Sequence, residues 1–125
     1  MAEKELFVGL NKARAAQGLA ALKWSDALAD AARKHAAVMA QHGVAEHNFP
    51  GEPGMAARAT RAGARFSSLS EDVAQGPTAG DIHAEFMGSA NHRANILDPD
   101  VDTVGIGVVE RRGQLFAVED FSKAR

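Results

Sequence analysis

The stretch TVGIGVVERRGQLFAVEDF, residues 103–121, decides what kind of fold this chain makes. Its halves, TVGIGVVE and QLFAVEDF, alternate well enough to be two strands. Arg111-Arg112-Gly113 joins them, and Gly113 supplies a permissive turn position. Gly105 and Gly107 lie two apart, so they share one face of their strand and leave it flat, which admits a closely packed helix.

Upstream of this hairpin the hydrophobic period changes to that of helices. In residues 3–17, Leu6, Leu10, Ala13 and Gln17 fall on one face with Phe7 beside them, until Gly18 breaks the pattern. Ser25 suits the N-cap of a second helix, whose stripe runs Leu28, Ala32, His35, Met39 and His42 and stops near Gly43. VAEHNFPGEPG, residues 44–54, reads as a turn-rich loop. MAARATRAG, residues 55–63, reads as a short helix ending at Gly63, and SLSEDVAQG, residues 68–76, as a strand bounded by Gly76-Pro77. Thr78 and Asp81 have capping-box spacing and open a helix through about Phe86 or Met87; Asp98-Pro99 stops the turn that follows. Helices first and strands last predict an α+β fold, a small antiparallel sheet with helices packed on it.

The 125 residues fit one domain spanning 1–125, with no internal repeat or linker. Fourteen basic against sixteen acidic residues give a formal net charge of -2, and the seven aromatics are scattered, so nothing argues for nucleic acid. No apolar run approaches the roughly 20 residues of a membrane span. The absence of cysteine removes any thiolate nucleophile or zinc–thiolate site. MAEKELFVGL, residues 1–10, lacks the apolar segment of a signal peptide.

Five histidines and one acid carry the functional question. His35, on an apolar stripe, reads as a hydrogen-bonded core residue. His42 suits the negative end of its helix, and His83 reads as a surface residue. His47 lies in a loop with no apolar period to explain it. His92 is three residues after Ser89, which puts both on one helical face within the polar cluster GSANHRANILD, residues 88–98. Glu71 interrupts an otherwise apolar strand and must face solvent or find a partner. His47, Glu71 and His92 are therefore the candidates, although nothing local in the sequence shows that they meet.

Several segments together resemble one family. LNKARAAQGLAALKWSDALADAARKHAAVMAQHG resembles the opening of bacterial members of the CAP superfamily, the SCP-like domains related to cysteine-rich secretory proteins, antigen 5 and plant pathogenesis-related 1 proteins. AEHNFPG resembles the loop with that family's first histidine, and LSEDVAQG its G-E-N-[IV]-A-x-G strand. FMGSANHRANIL resembles its W-x-x-S-P-G-H-R-x-N-I-L segment, and VGIGVVERRGQLFAVEDF its closing hairpin. The segments run in order from about residue 5 to 121. The resemblance implies an α-β-α sandwich, a central antiparallel sheet between helical layers. It implies a cleft gathering His47, Glu71 and His92, with Ser89 where eukaryotic members carry a second acid. Phe86 stands in place of the tryptophan, Ala90-Asn91 in place of Pro-Gly, and Ser70 and Asp72 flank Glu71 in place of Gly and Asn.

Three uses of that set are open. His47, His92 and Glu71 would make an open zinc-type site, for Zn or another divalent cation, with water in the fourth position. Glu71 would instead orient one imidazole by a hydrogen bond and leave the other to bind a ligand. Or Arg93, Asn95 and Asp98 tie down the loop and the histidines serve that network. Ser89 with His92 as base makes a poor nucleophile, because adjacent helical turns seldom aim the two productively and no oxyanion donor is identifiable. The expectation is a monomeric, extracellular or cell-surface binding module for a small ligand, lipid or protein partner; the alternative is a metal-assisted hydrolase using the same cleft. NFPGEPG offers little apolar surface for a sterol.

Overall fold

The computed structural model describes residues 1–125 as five helices and four strands. Helix α1 (Ala2–Ala16) buries Leu6 and Leu10 as expected. The same stripe continues into Arg14, not Ala13 and Gln17. Arg14 is 2% exposed, and its guanidinium donates to the carbonyls of Ala20 (2.8 Å), Ile96 (2.8 Å) and Asp98 (2.9 Å). A buried cation is tolerated here because backbone oxygens replace its water.

Strand β1 (Lys23–Trp24) has no sequence signal; it pairs parallel with β3 and makes the sheet mixed where an antiparallel one is expected. Helix α2 (Asp26–His42) starts where Ser25 Oγ accepts the Leu28 N–H at 3.1 Å and ends where Gly43 takes φ 74°. Helix α3 (Met55–Arg61) follows the loop, and β2 (Phe66–Gly76) begins two residues earlier than the sequence suggests. Thr78 caps α4 (Ala79–Gly88) by accepting the Asp81 N–H, while its hydroxyl donates to Asp81 Oδ2 at 2.8 Å. Ser89, in extended conformation, separates α4 from α5 (Ala90–Ile96). Strands β3 (Thr103–Arg111) and β4 (Gln114–Ala124) form the hairpin, turning through Arg112 and Gly113 at φ 53° and 78°. Positive φ at both turn residues matches the twist of the strands.

The strand order is β1-β3-β4-β2, leaving β2 on an edge. Alternation sends Val104, Ile106, Ala117, Phe121 and Ala74 to one side, where they pack with Leu6, Leu10, Ile82, Phe86 and Ile96 of α1, α4 and α5. Val73, Phe116 and Val118 face the other side, against Ala32, Ala36 and Met39 of α2 and Phe49. Gly105 and Gly107 sit directly under α2: a Cβ on either would overlap the backbone of Leu28-Ala29 or Ala32-Arg33. The result is the α-β-α sandwich. No helix is long and apolar enough to cross a membrane.

Candidate functional site

The loop over 44–54 is fastened to α2 before it presents anything. Phe49 stacks on His42 with ring centroids 4.1 Å apart. His35, fully buried, meets Glu52 Oε2 with Nδ1 at 2.6 Å and the Glu46 carbonyl with Nε2 at 2.7 Å. Glu52 Oε1 accepts the Phe49 N–H at 3.2 Å. The core histidine expected at position 35 is thus also the anchor of the loop.

Arg58 links this loop to the sheet. From α3 its Nε donates to the Pro53 carbonyl (3.0 Å), Nη2 to the His47 carbonyl (2.7 Å) and Nη1 to Glu71 Oε2 (3.0 Å). His47 Nδ1 meets the other oxygen, Glu71 Oε1, at 3.0 Å. Glu71 is 1% exposed in its side chain and His47 61%. These groups line a cleft of about 450 Å³ with Asn48, Gly54 and Met55.

Electrostatics follow from the neighbours. Burial by itself pushes the Glu71 carboxyl up, but the bond to His47, the facing Asp120 carboxyl and the Arg58 guanidinium outweigh it and bring its pKa down to about 2. The bond to Glu71 raises the pKa of His47. Asp120, directly across from Glu71 on β4, is raised well above the usual carboxyl range by burial and then by the neighbouring Glu71 carboxylate. One residue along, on the opposite face, Asp72 faces Glu119, and both are 0% exposed. Burial raises Asp72 to about 7, and burial and then Asp72 raise Glu119 well above the usual range. Asp72 Oδ2, both Glu119 carboxyl oxygens and, on the other face, Asp120 Oδ1 have no hydrogen-bond partner.

The structure joins His47 to Glu71 but joins His92 to neither by a hydrogen bond. His92 sits on α5 with its ring edge-on to Phe86 at 5.2 Å and Nδ1 buried without a partner. Ser89 precedes α5 with no side-chain cap bond and no bond to His92. In the same segment Asn95 Nδ2 donates to Asp72 Oδ1 at 2.8 Å and Asp98 Oδ1 accepts the Asp100 N–H at 2.8 Å. Arg93 is exposed and makes no side-chain hydrogen bond; Arg14 holds the Ile96 and Asp98 carbonyls instead. His83, expected on the surface, is half-buried against Gly9 of α1, and burial lowers its pKa.

A divalent ion does not fit the set as arranged. Both Glu71 oxygens are occupied, one of them by a guanidinium, and of the two His47 nitrogens only Nε2 is free. No three His, Asp or Glu side chains come together in a group that could hold a metal. Arg58, Asp72, Glu119 and Asp120 are absent from the sequence-derived candidate set. The acids carried a signal, since adjacent acids within a strand must send one side chain to each face.

The profile of the cysteine-rich secretory protein family matches residues 9–121. The Bacillus subtilis protein YkwD is 28% identical over 109 residues, covering 86% of this chain and 42% of that protein, so the chain spans less than half of that relative's length. An extracellular protein containing an SCP domain from Bacillus anthracis superposes with a TM-score of 0.87 at 23% identity, over 98% of this chain and 40% of that one. An outer surface protein from Borrelia burgdorferi superposes with a TM-score of 0.90 at 19% identity, over 99% and 93%. With its fold and nearly its whole length accounted for, this cysteine-free chain belongs to the cysteine-rich secretory protein (CAP) family.

Proposed function

We propose that the chain is an SCP-like binding module, acting outside the cell or at its surface, whose cleft takes a small polar ligand or a segment of a partner protein. The carrying observation is the His47–Glu71 bond of 3.0 Å with the imidazole left 61% exposed at the cleft. A buried, ionised carboxylate fixes the ring and leaves Nε2 to meet a ligand. Solved structures described as extracellular or outer-surface proteins share the fold and support the location. Metal-assisted hydrolysis in the same cleft is less well served, because both Glu71 oxygens are taken by Arg58 and His47 and no carboxylate is left free for a metal.

An NMR screen of small carboxylates, amides and peptides tests the reading. Hits are expected to shift His47, Asn48 and Met55 and to be lost in His47→Ala. Hits that cluster elsewhere, or that survive this substitution unchanged, contradict it.

A further inference from the structure

We infer that Arg58 takes the place of a metal ion in this cleft: its guanidinium is the fixed counter-charge of Glu71 and the positioning group of His47, and the cleft works without a divalent cation. The inference rests on the ligand-cleft reading above but concerns how that cleft is held.

Three observations carry it. First, the hydrogen bonds close on themselves. Arg58 spends Nε, Nη1 and Nη2 on Pro53, Glu71 and His47, and Glu71 spends one oxygen on Arg58 and the other on His47. Secondly, the Arg58–Glu71 bond is dry, with side chains 7% and 1% exposed. A divalent ion reaching Glu71 would either sit beside a buried positive charge or expel it, leaving the His47 and Pro53 carbonyls without their donor. Guanidinium keeps its proton at every accessible pH, so this counter-charge is permanent, whereas a bound metal is lost when its ligands protonate. Thirdly, strand alternation puts Glu71 on the α2 side of the sheet with Val73, whereas His92 packs on Phe86 of the opposite core. The second imidazole of a zinc-type site thus packs on the opposite core and makes no bond to His47 or Glu71.

Arg58 also sets where His47 lies. Its Nη2 bond holds the His47 backbone while its Nη1 bond holds the carboxylate that orients the ring, so one planar group fixes both ends of the residue.

The test is a titration of the full 125-residue chain with zinc chloride alone, followed by calorimetry and by the imidazole ¹H–¹⁵N resonances of His47. Wild type is expected to show no stoichiometric binding, unmoved His47 resonances and an unchanged melting temperature in chelator. In Arg58→Gln, zinc is expected to move His47, with affinity raised at least about tenfold, and the His47 titration midpoint is expected to rise because a nearby positive charge is gone. Arg58→Lys is expected to bring the midpoint back down. One-to-one zinc binding by wild type that His47→Ala or Glu71→Gln abolishes overturns the inference, and that result needs no Arg58 variant to fold. The ligand screen separates the two proposals: hits that persist in chelator support both. Hits that need zinc overturn this one. An absence of hits with zinc-silent His47 sinks only the ligand reading.

Discussion

Glu71–Asp120 and Asp72–Glu119 are successive pairs on the same two strands, all four residues 5% exposed or less, yet Glu71 and Asp72, neighbours on β2, end in opposite states. On the α2 side, Arg58 and His47 meet Glu71, and the carboxylate stays ionised with a pKa of about 2. On the other side α4 and α5 bring no cation to the pair. Asn95 supplies one hydrogen bond, and burial raises Asp72 to about 7 and Glu119 well above the usual carboxyl range. Burial is common to both pairs, so burial does not decide the charge. The groups that reach across the edge strand decide it.

Removing the guanidinium should break this contrast most severely. Arg58→Met leaves Glu71 buried without its cation and should cost about 3–5 kcal/mol in urea unfolding. A loss below about 1 kcal/mol would mean that the carboxylate is solvated after all.

The inner pair sets the pH dependence. The folded state binds protons at Asp72 and Glu119 that the unfolded chain has released, so their stabilisation is complete below the ordinary carboxyl pKa and is lost as pH rises through about 7. Wild type should lose at least about 2 kcal/mol between pH 5 and pH 8, and Glu119→Gln should flatten that fall. His47, with its raised pKa, adds to the same decline; His83, with its lowered pKa, opposes it. Glu71 behaves in reverse, since its contribution holds above the ordinary carboxyl pKa and fades as pH drops toward about 2, whereas Asp120, raised by burial, joins the decline of Asp72 and Glu119 as pH rises. A stability that instead rises from pH 5 to pH 8 in wild type would refute the protonated inner pair.

Asn95→Ala removes the one polar contact of Asp72 and should cost about 1 kcal/mol in thermal unfolding while pushing the Asp72 pKa higher. The smallest effect is expected at Ser89, which makes no cap bond. Ser89→Ala should change stability by less than about 0.5 kcal/mol, and a larger loss would expose a contact with His92.

The frame was legible in the sequence because it rests on local rules. Ser25, Gly43 and Thr78 act at their own helix ends, and Gly105 and Gly107 announce a flat face under a helix. The site was legible in part. His47 and Glu71 stood out as polar residues without a local reason, and they do meet. Arg58 did not, because three arginines lie in ARATRAGAR and no local pattern says which one turns inward. Arg14 was hidden for the same reason, since its three acceptors lie at Ala20, Ile96 and Asp98. The two faces of the acid pairs require the β2–β4 register, a pairing across nearly fifty residues that periodicity does not contain. The parallel pairing of Lys23-Trp24 with Thr103-Val104 escaped because two residues carry no period.

Carboxyl ¹³C titration of the wild-type chain from pH 2 to pH 9 addresses the contrast most directly. The two neighbouring resonances should separate, with Glu71 ionised from about pH 3 upward and Asp72 titrating near pH 7. Midpoints for both within the ordinary carboxyl range of about 4 would contradict the account, because Arg58 would then not be holding one face of the strand in a different charge state from the other.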